Sequence, residues 1–254
     1  MEFTFNEKIV LITGASRGIG KATALLFAKS GATVVVHCRQ DESAALEVLR
    51  SLPGQGHSHI LADLANPDEL RKMVGEIIRI YGRIDILVNN AGIFMERDMT
   101  GIPVEDFLDN WEQTIRVNLT GPAILSNLVA REMIRTGGGR VVNVTSRGAF
   151  RGEPAAWAYG ASKAGLNSVG QSMAVALAKY KIYVFTIAPG YVETEMTAAN
   201  LAGDSRKVIE NQSPLNRVAA PAEIGRAILM LAADGMEYMT GCILDMNGAS
   251  YLRN

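Results

Sequence analysis

Cysteine, histidine and tryptophan are all scarce in this chain. Of its 254 residues only two are cysteine, three histidine and two tryptophan. Cys38 and Cys242 form no Cys-x-x-Cys pair and no disulfide framework, so a reducing cytoplasm is the expected compartment. His57-Ser58-His59 has a metal-like composition, but no further Cys, His or carboxylate cluster joins it, and no metal site is expected. An excess of one charge is missing too. Lys plus Arg number 25 and Asp plus Glu 26, a net charge of −1 without any basic run. Nucleic acid and anionic membrane are therefore excluded as expected partners. No apolar stretch approaches the roughly 20 residues that span a bilayer. Met1–Asn6 lacks a basic n-region and an apolar h-region, so no secretory leader is expected. Linkers rich in Pro and Ser, internal repeats and low-complexity tracts are absent, which points to one domain over residues 1–254.

What is present is alternation. Apolar, β-branched runs at Lys8–Thr13, Thr33–His37, His59–Ala62, Ile84–Asn89, Arg140–Thr145, Ile182–Ala188 and Cys242–Met246 predict seven strands. Between them lie amphipathic stretches, among them Ile19–Ser30, Pro67–Tyr81, Val104–Arg135, Tyr159–Tyr180 and Pro221–Ala233. Continuous Val/Ile runs separated by helices read as parallel strands covered on both faces. The fold class expected is α/β, a doubly wound Rossmann domain with a seven-stranded parallel sheet. Gly190–Asn216 interrupts the alternation. It is polar, with a short helical patch at Ser205–Asn211, and reads as a lid over a site.

The first strand runs into Thr13-Gly14-Ala15-Ser16-Arg17-Gly18-Ile19-Gly20, followed by a helix. Glycines there allow positive φ and let backbone N–H groups approach a pyrophosphate at the helix N-terminus. The spacing is Gly-x-x-x-Gly-x-Gly. An NAD site usually carries Asp or Glu at the end of the second strand, to bond the ribose 2′-hydroxyl. Here that strand ends His37-Cys38-Arg39, and no carboxylate occurs before Asp41. Arg39 and Arg17 instead offer two guanidiniums suited to a 2′-phosphate, which predicts NADPH/NADP over NAD. Asp63, after strand three, can accept from the adenine amino group. Asn89-Asn90-Ala91-Gly92 closes strand four, with amides to lock neighbouring strands and small residues to leave room for a ribose. Pro189-Gly190, with Thr194 beyond it, fits a turn past the nicotinamide end.

Ser146, Tyr159 and Lys163 carry the chemistry. Tyrosine and lysine at i and i+4 share a helix face. A phenol has an unperturbed pKa of roughly 10, and an ammonium beside it is expected to pull that value toward working pH. A serine hydroxyl can serve an oxygen whose charge changes during reaction. Asn118 sits within the long helical stretch, where its amide either deforms the helix and holds a water or is a buried amide capping a kink.

Taken in order and spacing, these motifs resemble the short-chain dehydrogenase/reductase family from Lys8 to the C-terminus. The similarity is greatest to the 3-oxoacyl-[acyl-carrier-protein] reductase branch. It rests on Thr13–Gly20, on Pro189-Gly190-Tyr191-Val192-Glu193-Thr194-Glu195-Met196, and on the ending Met239-Thr240-Gly241-Cys242…Asn247-Gly248-Ala249. The resemblance implies a tetrad of Asn118, Ser146, Tyr159 and Lys163. Tyr159 would protonate the carbonyl oxygen, Lys163 would lower its pKa and bond the nicotinamide ribose, Ser146 would bind the substrate oxygen, and Asn118 would fix a water. The expected cofactor surface comprises Gly14, Ser16, Arg17, Gly18, Ile19, Gly20, Arg39, Asp63, Leu64, Asn90, Ala91, Gly92, Tyr159, Lys163, Pro189, Gly190, Val192 and Thr194. The implied activity is NADPH-dependent reduction of a ketone to a secondary alcohol, with a 3-oxoacyl thioester as one substrate class. Alcohol, sugar or steroid dehydrogenation on the same scaffold is the alternative, and a non-catalytic dinucleotide-binding regulator the alternative of another class. The implied assembly is a homotetramer or homodimer.

Several residues depart from that branch. Phe185 stands four before Pro189 where Asn is common, and Trp157 stands two before Tyr159. The helix after Lys163 reads Met173-Ala174-Val175-Ala176-Leu177, without the usual Glu and basic residue for an acidic carrier protein. The Ile93–Pro103 connection is longer than usual.

Overall fold

The computed structural model describes residues 3–98 and 100–253. Met1, Glu2, Met99 and Asn254, which belong to the N-terminal reading, the loop after strand four and the end of the domain, lie outside the described residues. In chain order the strands are β1 Ile9–Ile12, β2 Thr33–Cys38, β3 Ser58–Leu61, β4 Ile86–Asn89, β5 Gly139–Val144, β6 Ile182–Pro189 and β7 Ile243–Met246. The helices are α1 Gly18–Lys29, α2 Glu42–Ser51, α3 Pro67–Tyr81, α4 Val104–Ile115, α5 Gly121–Thr136, α6 Gly148–Arg151, α7 Trp157–Leu177, α8 Ser205–Glu210 and α9 Pro221–Ala232. All seven strands pair in parallel in the order β3-β2-β1-β4-β5-β6-β7. This is the doubly wound sheet that the alternation predicts.

Period-two side-chain alternation sorts the strand residues into two cores. Val10 and Ile12 of β1, Val34 and Val36 of β2, and Phe185 and Ile187 of β6 pack with α1, α2 and α9. Ile9 and Leu11, Val35, and Ile182 and Val184 point the other way, toward α3, α5 and α7. A continuous apolar run thus serves both faces at once, as a parallel sheet between two helix layers requires. Phe185, the departure noted above, is fully buried on the α1/α9 side. It fills core on the face opposite α7.

Helix ends follow local chemistry. Asn66 caps α3 by accepting from the N–H groups of Asp68 and Glu69, Pro67 opens that helix, and Gly82 at φ 75° closes it. Gly137 at φ 97° closes α5, the helix stop expected of the glycine triplet. Helix α2 was not among the expected stretches. It is short, and its Asp41 cap accepts from Ala44 N–H at 3.0 Å. The largest correction falls on the predicted helix Val104–Arg135. It is two helices joined by a π-turn at Arg116–Thr120, with Asn118 in the wide turn. An inserted residue of this kind re-aims side chains and often marks a functional site.

Candidate active site

The sheet order reverses direction between β1 and β4, where connections leave to opposite sides and ligands bind at the carboxyl ends of the strands. A cleft of about 320 Å³ opens there. Of the expected site residues, all but Gly20 and Asn118 form its wall, including Ser146, Tyr159 and Lys163.

One half of the cleft is a cradle of backbone. Gly14 and Gly18 have φ of 62° and 55°, values that strain any residue with a Cβ. A Cβ on Gly14 would come 2.9 Å from Ala91 Cα. Gly20 lies beneath the wall. A side chain there would collide with Gly14 O and the Asn90 amide, so this glycine permits helix–turn packing rather than ligand contact. Asn90 ties the turn to β4, its Nδ2 donating to Thr13 O at 2.8 Å and Gly14 O at 3.1 Å. No side chain caps the N-terminus of α1, which leaves its first N–H groups for an anion. Arg17 and Arg39 both line this end and are exposed. Asp41, the nearest carboxylate after β2, is committed to Ala44 N–H and the Ser43 hydroxyl, which hold its pKa down. Asp63 also lines the cleft, one oxygen accepting from Ala65 N–H at 2.8 Å.

His37 was read only as the end of a strand, and the structure gives it a place in the site. It is 1% exposed. Its Nδ1 accepts from Gly14 N–H at 3.2 Å, and its Nε2 lies 2.9 Å from Ala62 O. That pair of partners requires the neutral tautomer with the proton on Nε2. Burial holds its pKa down to about 4. A lone buried histidine leaves no periodic signal in sequence. The clue was a histidine directly after the Val34–Val36 run of β2.

The other half of the cleft carries the expected acid–base groups. Ser146 follows β5, and its Oγ accepts from Gly148 N–H at 3.0 Å, with its O–H directed to donate toward the Tyr159 phenol. Tyr159 and Lys163 project from the first turns of α7. Lys163 is buried, with Nζ donating to Val144 O at 3.0 Å and lying 5.7 Å from the centre of the Tyr159 ring. Burial lowers its pKa to about 8. Tyr159 does not show the expected depression. Burial raises its pKa to about 12 against the pull of the Ser146 hydroxyl, and the charge of Glu153 and the Tyr191 phenol raise it further. The physical reason is burial: desolvation penalises the phenolate, and the Lys163 ammonium, bound to the Val144 carbonyl and 5.7 Å from the ring centre, does not offset it. At neutral pH the phenol is thus held in its acid form.

Asn118 is fully buried behind this group. Its Oδ1 accepts from Ile93 N–H at 2.8 Å, and its Nδ2 donates to Ile93 O at 2.9 Å and Ser162 Oγ at 3.3 Å. The amide therefore clamps the chain leaving β4, next to Gly92, where a Cβ would lie 3.2 Å from Asn118 Oδ1 and 3.3 Å from Lys163 Nζ. Pro122, four residues on, has no N–H to give the Asn118 carbonyl its helical partner.

At the substrate end, Phe94 packs edge-on to Tyr159 with ring centres 4.8 Å apart. Trp157 is 47% exposed, with Nε1 donating to Pro154 O at 2.7 Å. The loop after β4 reaches both neighbours: Arg97 N–H donates to Ala155 O at 2.9 Å, and Asn200 Nδ2 donates to Glu96 at 2.8 Å. His57 and His59 lie elsewhere. His57 accepts from Val34 N–H at 3.0 Å, and His59 pairs with Glu42 at 3.0 Å.

Known proteins resemble this chain over most of its length. The profile described as enoyl-(acyl carrier protein) reductase matches residues 14–248. The acetoacetyl-CoA reductase of Allochromatium vinosum is 39% identical, over 96% of this chain and 99% of its own. The 3-oxoacyl-[acyl-carrier-protein] reductase FabG of Thermotoga maritima is 37% identical, over 95% of this chain and 96% of its own. Among solved structures, one from Beutenbergia cavernae assigned as an NAD(P)-dependent gluconate 5-dehydrogenase, with bound NADP, superposes with a TM-score of 0.89. It is 31% identical and covers 98% of this chain and 99% of its own. With a glycine turn, a seven-stranded parallel sheet and a Ser–Tyr–Lys group at one cleft, this chain belongs to the short-chain dehydrogenase/reductase family and is an oxidoreductase acting on CH–OH and C=O groups.

Proposed function

We propose that this protein is an NADP-dependent enzyme that interconverts a ketone and a secondary alcohol, with Tyr159 as the proton donor. The observation that carries this reading is the convergence of Ser146, Tyr159 and Lys163 on one end of the nucleotide cleft. When bound, the dinucleotide supplies the hydride. The turn Gly14–Gly20 and the open N-terminus of α1 would hold its pyrophosphate. Arg17 and Arg39 would take the 2′-phosphate, and Asp41, the nearest carboxylate after β2, has one oxygen bound to the N-terminus of α2. Lys163 has two N–H groups beyond its bond to Val144, enough for ribose hydroxyls. Ser146 donates to the substrate oxygen, and Tyr159, held protonated, gives that oxygen its proton. In the oxidising direction the same phenol takes the proton back.

Gly190–Asn216 is the lid in this reading. Its ends are tied by Glu193 N–H to Ala219 O at 2.9 Å and Ala219 N–H to Tyr191 O at 3.0 Å, while Val208 at its middle is 66% exposed. Thr194, Glu195, Met196 and Thr197 face the cleft. A cytoplasmic homotetramer or homodimer completes the reading. Among the described residues no helix is long and apolar enough to cross a membrane. Docking of an acidic carrier protein has little support, because the stretch Met173–Leu177 of the helix after Lys163 carries no basic residue and presents Val175, 86% exposed.

Steady-state kinetics test the proposal. NADPH should exceed NADH in kcat/KM by at least tenfold, and Arg39→Asp should reverse much of that preference. Tyr159→Phe should lower kcat by about a thousandfold, while NADPH affinity stays within a few-fold. Equal use of both cofactors would refute the 2′-phosphate site. A Phe variant that keeps most of its turnover would assign the proton to another group.

A further inference from the structure

One carboxylate beside the acid–base group has no hydrogen-bond partner among the described residues. Glu153, on the loop between α6 and α7, has a side chain only 19% exposed. Its nearest cation is Arg151, whose Nε stands 3.7 Å away, beyond hydrogen-bond reach. Arg147, buried nearby, is already engaged by Ser250, Gln212 and the Tyr191 ring. The carboxylate lies against the residues that hold the acid–base groups. A Cβ on Gly148 would be 2.5 Å from Glu153 Oε1, and Gly148 is the residue whose N–H orients Ser146. A Cβ on Gly160, next to Tyr159, would be 3.9 Å from Glu153 Cβ. Burial raises the pKa of Glu153, and its charge is felt at Tyr159.

A carboxylate with no hydrogen-bond donor of its own is open to a ligand that brings donors. Hydroxyl groups do so through charge-assisted bonds. Phe94, packed on the Tyr159 ring, and the half-exposed Trp157, two residues before Tyr159, offer apolar surface for the carbon skeleton of such a molecule. In a 3-oxoacyl thioester the carbons on either side of the ketone are methylenes, which bring no donor. Sites built to bond a hydroxyl discriminate strongly against analogues that lack it.

We propose that Glu153 is a specificity residue that accepts hydrogen bonds from hydroxyls flanking the reacting carbon, so that the substrate is a polyhydroxylated carbonyl compound or its alcohol, of the sugar or polyol class. This rests on the oxidoreductase reading above and narrows it. The test is NADP-dependent oxidation of a panel of aldohexoses and hexitols against cyclohexanol, by wild type, Glu153→Gln and Glu153→Leu. NADPH binding followed by fluorescence checks that each variant is folded. At least one polyhydroxylated substrate should exceed cyclohexanol in kcat/KM for the wild type. Glu153→Gln should cut that ratio by about tenfold, chiefly through KM, and Glu153→Leu should cut it further. A purely structural role would lower both substrates together and leave the ratio standing. A ratio within threefold of wild type in both variants, or a wild type that favours cyclohexanol over the whole panel, overturns the inference and leaves the oxidoreductase reading intact. A wild type that binds NADPH but turns over no alcohol or ketone overturns both.

Discussion

Lys163 and His37 are both buried titratable groups, and their shifts have opposite uses. Lys163 is an ammonium held in the protein at a pKa of about 8 against an ordinary 10.5. Below pH 8 both folded and unfolded chains carry its proton, so the burial penalty is fully present at neutral pH. It fades as pH rises from 8 toward 10.5, where only the unfolded chain still holds the proton. Lys163→Met should therefore stabilise the fold at pH 7 by roughly 1–3 kcal/mol while abolishing turnover. Calorimetric melting checks this, and a lower Tm would show that the bond to Val144 outweighs desolvation. His37 is neutral in the fold, with a pKa of about 4 against 6.5. Between those values the unfolded chain binds a proton that the folded chain does not, so stability falls as pH drops. Over pH 7 to 4.5 the wild type should lose roughly 2–3 kcal/mol more than His37→Asn. Urea titrations at the two pH values measure it, and parallel losses would refute the assignment.

Among the elements, the π-turn and the lid connect packing to the site. One extra residue in the turn Arg116–Thr120 lets Asn118 point at Ile93 from a helix whose other faces meet α3 and α7. The clamp in turn fixes the start of the loop that carries Phe94 and Glu96 to the mouth. We propose the lid on different grounds: tied ends and a polar middle with little buried surface. Amide exchange should be fast across residues 196–212 in the free protein and slow tenfold or more on adding NADP and substrate. Val192, Glu193 and Ala219, which form the hinge pairing, should be slow throughout. Slow exchange over the whole segment before any addition would argue against closure.

At the scale of the molecule, several apolar side chains stay uncovered. Val104 and Leu108 of α4 are 62% and 49% exposed, and Val175 of α7 is 86% exposed. Strand β7 is a sheet edge, with Ile243 and Leu244 only partly covered. Helices that serve one face of a sheet need no second apolar face, and an open edge invites pairing. Both features support association with two-fold symmetry. Light scattering at micromolar concentration should give two or four times the chain mass, and Val175→Glu with Leu108→Glu should shift it downward. A wild-type monomer would refute the assembly.

Much of this was legible in the residues alone, because it depends on short-range patterning. Val/Ile runs placed all seven strands to within two residues at either end, and glycine spacing with Tyr159 and Lys163 on one helical turn located the cleft. These are properties of backbone sterics and helical period, which neighbours in sequence decide. Contacts distant along the chain decided the rest. His37 meets Gly14 and Ala62 only once three strands lie side by side. The turn at Asn118 opens because Ile93, 25 residues away, receives its amide. Tyr159 keeps a high pKa because the elements packed around it bury the phenol, where the spacing to Lys163 alone led to an expected depression. Charge, burial and hydrogen bonding at a point depend on every element that surrounds it, and only the tertiary structure brings those elements together.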